Sequence, residues 1–586
     1  MLLEKITSSA DVKKLSNAEL HTLVDEARQA LLQKTSQHGG HNGPNFGVVE
    51  MTVALHDVFD TPKDKIVYDV SHQSYVHKML TGRAQAFLDS AHYDDVSGYT
   101  NPKESEYDLF SVGHTSTSLA LASGLMKARD VKGEDYRVIA VIGDGSMSGG
   151  LAFEGLDEIA NVNTQAIVIL NDNDQSIAPN PQRGLYTALR SLRESNGEAP
   201  DNLFKAMGYE YHYLDDGNDL DKLIALFNEV KDADHPVLLH IHTDKGHGFK
   251  PAEENHEAFH AGGPYNPKTG EYVQFGDPTK PTYSSVLTDF MLDKMKKDPT
   301  VVEVTAGTPM ILLTPEQRAK FPKQFVDVGI AEQEAVTMTA GLAKGGAKPV
   351  FTVYSTFLQR AYDQVSHDLA LNDLPGTILV YMASVNGMND ESHIGFFDIP
   401  FLAHIPNVVY LAPTNKEELL SMTNWAIEQQ DHPAAIRVPV GPLVETGVAD
   451  TTDYSVLNKN QVTQKGSKVA LFGLGNFYHL AKQVADKLEK EHGIKATLVN
   501  PKFVTGLDTG LLDSLEANHD VVVTLEDGVL EGGYGQMVAS YLGNKDLAVQ
   551  TYGLSKAFHD RYNASELLEK EGITVDNIVN HVLAKL

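Results

Sequence analysis

Asp144 and Asn173 carry the first chemistry legible in this chain. Each closes an apolar run: Val138–Ile142 leads into Gly143-Asp144-Gly145, and Ala166–Leu170 leads into Asn171-Asp172-Asn173. Strand, glycine turn, helix and strand in that order put both polar turns at the carboxyl edge of one parallel sheet. A carboxylate and an amide oxygen, joined by one backbone carbonyl, make a hard-oxygen set suited to Mg2+ held against a phosphate. Gly145 lets the backbone approach a bulky anion. A sharp strand-to-helix turn with a solvated aspartate is the plain alternative, and the Asn-Asp-Asn ending the next run weighs against it.

Other polar turns could serve the same chemistry. The loop Ser36–Gly47 sets His38 and His41 among glycines and a proline; without nearby acids or thiols it reads as a catalytic loop over a phosphate group rather than a metal site. His72, His77 and His114 stand in polar turns ahead of Gly-Asp-Gly and point to a shared pocket. The small-residue helix after His114 could offer its first amides to an anion. Lys245, in a Lys-Gly-His-Gly turn after an apolar run, is placed to meet a phosphate. Glu332 falls in the first turn of a helix that follows a strand. A carboxylate there is often only dipole-favoured, but the glycine-flanked turn before it favours a site.

These turns need elements to hold them. A chain of 586 residues exceeds one hydrophobic core and allows about two to four domains. Alternating strand and helix patterns predict an α/β protein with three doubly wound parallel sheets, over residues 1–270, 280–445 and 455–586. Ser16 and Glu19 predict a capped amphipathic helix over 16–34, and the Pro- and Gly-rich stretch 261–282 predicts a linker. Gly473-Leu474-Gly475 lacks the third spaced glycine and acidic partner of a dinucleotide loop, and reads as an ordinary turn between strand and helix.

Composition excludes several classes. With 48 Lys+Arg against 79 Asp+Glu the net charge is −31, which argues against a nucleic-acid or anionic-membrane surface. There are no cysteines, so disulfides, thiolate catalysis and zinc–thiolate sites are out. The first twenty residues mix acids and bases without an apolar core, and no stretch reaches membrane-spanning length, so a cytoplasmic enzyme is expected.

Ten short strings stand in order along nearly the whole chain: GHNG from Gly40, SHQSYVHK from Ser71, TGR from Thr81, GHTSTS from Gly113, GDG from Gly143, LNDN from Leu170, KGHGF from Lys245, AEQEAVT from Ala331, YSTFLQRAYDQ from Tyr354 and LEDG from Leu525. In this order they resemble the transketolase superfamily, and within it the 1-deoxy-D-xylulose-5-phosphate synthase family. The resemblance implies thiamine diphosphate and Mg2+ as cofactors, a homodimer, and transfer of a two-carbon unit from pyruvate to an aldehyde, nominally D-glyceraldehyde 3-phosphate, in isoprenoid precursor biosynthesis. It implies a first domain for diphosphate and metal, a second for the pyrimidine, and a C-terminal third. Asp144, Asn173 and the carbonyl of Gln175 would hold the metal. His72, Gly113, His114, Thr115, Gly145, Ser146, Asn173, Lys245 and Phe249 would line the cofactor site, with Phe357 stacked on the aminopyrimidine. Glu332 would hydrogen-bond its ring nitrogen and favour the tautomer that takes the proton from the reactive carbon. His41, Tyr354, Arg360, Asn389, Asp390 and His393 would face the substrate, and His41, Arg360 and His393 would share the catalysis with Glu332.

The chain departs from that pattern mainly at the acceptor. Met382 and Val440 stand where the family places arginines that grip the acceptor phosphate, leaving Arg360 and Arg437 as the guanidiniums that could compensate. Phe249 replaces a tyrosine, Asn389-Asp390 replaces Asp-Gly, Glu334 replaces a histidine, and the segment after Ile177 is short. Two other functions therefore stand beside the synthase: a transketolase-like or acyloin-forming relative with an unphosphorylated acceptor, and a catalytically silent cofactor binder. The presence of Asp144, Asn173 and Glu332 argues against the last.

Overall fold

The computed structural model describes residues 1–162, 164–182, 184–274, 277, 279–387 and 390–586. It forms two compact units, Met1–Pro278 with Gly329–Ala331, and Thr279–Val328 with Glu332–Leu586. In the first unit, β1 (Lys65–Tyr68), β2 (Val138–Gly143), β3 (Ala166–Asp172), β4 (Glu210–Leu214) and β5 (Pro236–His242) form a parallel sheet in the order β1-β2-β3-β5-β4. The apolar runs are continuous because the strands are buried on both faces. Ile139, Val141, Ile167 and Ile169 enter one core with the helices Asn17–His38 and Val49–Val58. Their neighbours Val138, Ala140, Ile142, Val168 and Leu170 enter the other, with Ser118–Lys132 and Gly150–Val162. That division is the doubly wound arrangement.

The capping box forms as expected: the Ser16 amide donates to Glu19 Oε2 at 2.8 Å. The helix continues to His38, beyond the predicted end, and stops where Gly39 takes φ +87°.

In the second unit, β6 (Val301–Thr305), β7 (Phe325–Asp327), β8 (Lys348–Tyr354), β9 (Thr377–Tyr381), β10 (Val409–Leu411) and β11 (Ala434–Arg437) form a parallel sheet in the order β10-β11-β9-β8-β6-β7. A further sheet, ordered β12-β14-β13-β15-β16, comprises β12 (Gln461–Gln464), β13 (Lys468–Gly473), β14 (Thr497–Asn500), β15 (His519–Val529) and β16 (Ala548–Leu554). Phe351, Val353, Ile378 and Val380 share one core with Ala470, Phe472 and Val522, so these two sheets are packed around common apolar contacts. One departure from an all-parallel reading is β12, an antiparallel edge strand against β14. It is short and alternates exposed with half-buried residues, as a protected edge does.

Candidate functional site

The register Gly143↔Asn171 brings the turns after β2 and β3 out of the sheet side by side. The Asp144 amide donates to the Asn171 carbonyl at 3.1 Å, and the Met147 amide to the Asp144 carbonyl at 3.1 Å, winding one tight turn over Gly145–Ser148. A Cβ at Gly145 would lie 2.8 Å from that of Ser176, so glycine is what lets the two turns close on each other. Asn173 Oδ1 accepts from the Gln175 amide at 3.2 Å, and Lys245 Nζ donates to the Ser176 carbonyl at 2.6 Å. Asp144, Gly145, Ser146, Asn173, Gln175 and Lys245 thus share one strand edge.

Its electrostatics are asymmetric. Burial alone would raise Asp172, but hydrogen bonds from His240 Nε2 (2.7 Å) and Arg193 Nη1 (2.8 and 2.6 Å) outweigh it and hold the carboxyl below the usual range. Among the described residues Asp144 has no hydrogen-bonded cation, and burial first, with the neighbouring Asp172 second, pushes its carboxyl well above the usual range despite the charges of Lys245 and Arg193 nearby. Burial likewise pulls the Lys245 ammonium down to about 8. A cation at Asp144 would relieve this imbalance. Among the described residues no three His, Cys, Asp or Glu side chains form a metal cluster, so an ion here would rest on Asp144 with amide and carbonyl oxygens. Buried Asn171 Nδ2, Gln175 Oε1 and Asn180 Oδ1 lack hydrogen-bond partners among the described residues. Orphaned polar atoms gathered at one edge fit a polar ligand with its metal.

Asp69, just past β1, accepts from the amides of Ser116 (2.8 Å) and Ser118 (3.0 Å) and so fixes the turn containing buried Gly113 and half-buried His114 and Thr115. Ser116, at φ +71°, then donates its hydroxyl to the Ser146 carbonyl at 2.8 Å, tying that turn to Gly-Asp-Gly. Asn45 Nδ2 clamps the carbonyls of His41 (2.8 Å) and His72 (2.7 Å), and the two imidazoles meet edge to face at 5.2 Å, with His260 at 5.9 and 5.5 Å. His77 does not share this pocket: it is buried between His56 (3.0 Å) and Asp108 (3.1 Å), in a network closed by Arg83. His38 pairs with Asp94 at 2.8 Å. Phe249 stacks on Phe46 and packs against Phe259 and Tyr265, an aromatic core position.

In the second unit, Glu332 opens the helix Glu332–Lys344, is 2% exposed, and accepts from Arg360 Nη1 at 3.1 Å. Burial raises its carboxyl above the usual range, with Arg360 opposing. Tyr354 ends β8, and its ring meets Phe357 at 5.8 Å; Phe357 meets His393 at 5.5 Å. Asp390 accepts from His393 Nδ1 at 3.2 Å, and with Ser392 this overcomes its burial and holds the carboxyl low. Asn389 lies outside the described residues.

Curated relatives match along the whole chain. The synthase of Pelotomaculum thermopropionicum, named 1-deoxy-D-xylulose-5-phosphate synthase, is 38% identical over 621 residues, covering 100% of this chain and 97% of its own. The protein of that name from Symbiobacterium thermophilum is 39% identical, covering 100% and 95%. The chain belongs to the 1-deoxy-D-xylulose-5-phosphate synthase family. Family models agree: residues 3–197 and 182–243 match 1-deoxy-D-xylulose-5-phosphate synthase, 279–444 the transketolase pyrimidine binding domain, and 458–578 the transketolase C-terminal domain.

Against this synthase family the structure corrects one expectation about the acceptor end. Arg437 is 2% exposed and locked: Nε donates to Asp398 Oδ2 at 2.7 Å, Nη1 to Asp527, and Nη2 to the Asp527 carbonyl at 3.1 Å. It is unavailable to a substrate phosphate. Other residues escaped sequence reasoning. Asp69 had a signal, a carboxylate ending an apolar run; Asn180, Arg193, His240 and His260 had none stronger than their residue type, since their partners lie far along the chain.

Proposed function

We propose that this chain is a thiamine-diphosphate-dependent carboligase of the synthase type, releasing carbon dioxide from pyruvate and joining the two-carbon remainder to an aldehyde, nominally D-glyceraldehyde 3-phosphate. It would work as a cytoplasmic homodimer on small-molecule substrates. Asp144, Asn173 and the Gln175 carbonyl would hold Mg2+. Gly145, Ser146, the Gly113–Thr115 turn, His72 and Lys245 would surround the diphosphate. The cofactor, when bound, supplies a carbon nucleophile and an electron sink for decarboxylation. Glu332 would hold a proton at a ring nitrogen of the aminopyrimidine; its raised carboxyl makes proton exchange there accessible. Arg360 would orient that carboxyl, and Phe357, braced by Tyr354 and His393, would offer a ring face. His41 and His393, as imidazoles, are suited to move hydroxyl protons near neutrality, and Asp390 would orient His393.

The observation that carries this reading is Asp144: a buried carboxyl with no hydrogen-bonded cation among the described residues, at the strand edge where the Asn171–Gln175 turn meets it. Incubation with pyruvate, Mg2+, thiamine diphosphate and a panel of aldehydes, read by carbon dioxide release and mass spectrometry of products, tests it. No carbon dioxide with any aldehyde would leave a silent cofactor binder. The locking of Arg437 supports a second reading, an unphosphorylated acceptor, because Met382 and Val440 bring no charge to the edge where β9 and β11 end.

A further inference from the structure

We propose that Asn180 is a positioning residue for Asp144: its amide would aim that carboxylate at the metal. The inference rests on the functional reading above. Asn180 Nδ2 donates to Asp144 Oδ2 at 2.7 Å, and both side chains are buried. The turn that delivers Asn180 does not need this side chain. It is closed by other groups: Ser176 N–H donates to the Ala178 carbonyl at 3.0 Å, Asn180 N–H to the Asp174 carbonyl at 3.2 Å, and the Ser176 hydroxyl to the Ala178 carbonyl at 3.2 Å. The amide is therefore spent on the carboxylate.

Charge explains why an amide suits the position. Asp172 beside it already takes Arg193 and His240. A further cation on Asp144 would compete with a divalent ion, and a further carboxylate would repel the diphosphate. A neutral donor fixes one oxygen, Oδ2, and leaves the other to bind. Asn180 Oδ1, buried and unpartnered among the described residues, is an independent sign that this amide faces a polar ligand. Hydrogen-bond partners of ligating carboxylates characteristically govern metal affinity by about 10–100-fold.

The test is calorimetric titration of the full-length protein with Mg2+ at fixed thiamine diphosphate, for wild type and Asn180→Leu, with thermal unfolding measured without ligand. Leucine matches asparagine in size and lacks the donor. The expected result is a half-saturating Mg2+ concentration raised about 10–100-fold, with a smaller ligand-induced rise in Tm. If wild type binds and Asn180→Leu has the same Mg2+ half-saturation, the inference is overturned, even if its unliganded Tm has fallen, because the side chain is then merely structural. If wild type itself binds no cofactor, the functional reading fails and the inference falls with it. Should Asn180→Leu not fold, Asn180→Ala makes the same comparison.

Discussion

Replacing Glu303 with glutamine should flatten a loss of stability that the wild type suffers as pH rises. Glu303 lies in β6 opposite Val350, on the sheet face that carries Thr305 and Thr352, and is 0% exposed. Among the described residues neither carboxyl oxygen has a hydrogen-bond partner. Burial is the largest influence and pushes this carboxyl from the ordinary 4.5 up to about 8; Asp327 adds to it, while Thr352 and Arg318 oppose. Between those values the folded chain keeps a proton that the unfolded chain has released. Stability therefore falls as pH climbs through that window, being unaffected below 4.5 and fully reduced above about 8. At about 1.36 kcal/mol per pKa unit, the window is worth up to about 5 kcal/mol. Glutamine keeps the shape of the neutral acid and has no proton to lose.

Trp425, the single tryptophan, reports on this sheet, because it packs against the core that contains Val350, Leu379 and Tyr381. Urea unfolding followed by its fluorescence at pH 5, 6.5 and 8.5 should show a small advantage for Glu303→Gln at pH 5, growing to several kcal/mol at pH 8.5. Parallel pH profiles for the two proteins would refute the reasoning and mean that Glu303 is compensated in the fold.

Asp144→Ala should weaken Mg2+-dependent cofactor binding by more than about 100-fold in calorimetry; unchanged affinity would make the Gly-Asp-Gly turn purely structural. Glu332→Gln should leave cofactor binding measurable but slow hydrogen–deuterium exchange at the cofactor's reactive carbon by about 10²–10⁴, and wild-type exchange would remove Glu332 from its role. If Met382 and Val440 stand where two arginines would grip an acceptor phosphate, the wild type should forgo about 3–6 kcal/mol of acceptor binding, or roughly two to four decades in kcat/KM for a phosphorylated aldehyde. Met382→Arg with Val440→Arg should shift preference toward it, whereas a hundredfold wild-type preference for the phosphorylated over the unphosphorylated aldehyde would defeat the arginine argument.

What was legible in the sequence is what neighbouring residues decide. Val138–Asp172 could be read as strand, turn, helix and strand because continuous β-branched runs and glycine turns are local signals, and Ser16 with Glu19 likewise announced a cap. Pairings across the chain left no local trace. His77 looked like His72, a histidine in a polar turn, yet its partner Asp108 lies 31 residues away and draws it into a buried network. Arg437 looked available because Asp398 and Asp527, 39 and 90 residues distant, only meet it in the fold. The antiparallel β12 was hidden for a similar reason: pairing direction depends on the connection to β14, not on the strand's own four residues.

The backbone fixes the turns that carry Met382 and Val440. Met382 leaves β9 with φ +57°, a conformation that costs a non-glycine residue about 1–2 kcal/mol. Its surroundings enforce that cost: Asn386 Nδ2 donates to the Met382 carbonyl at 3.0 Å, and any Cβ at Gly395 would overlap that carbonyl. Such enforced strain is characteristic of positions where a side chain must be aimed. Methionine spends it on a half-buried apolar contact with the core beside Tyr381. Asn386 and Gly395 act on the Met382 carbonyl and not on its side chain, so Met382→Arg should keep the turn. Val440, three residues past Arg437, donates its backbone amide to the side-chain Oδ1 of Asn476 at 3.2 Å, so its own side chain takes no part. With Arg437 bonded to Asp398 and Asp527, what Met382 and Val440 present at this edge is apolar, and the double arginine substitution tests whether an acceptor phosphate is read there.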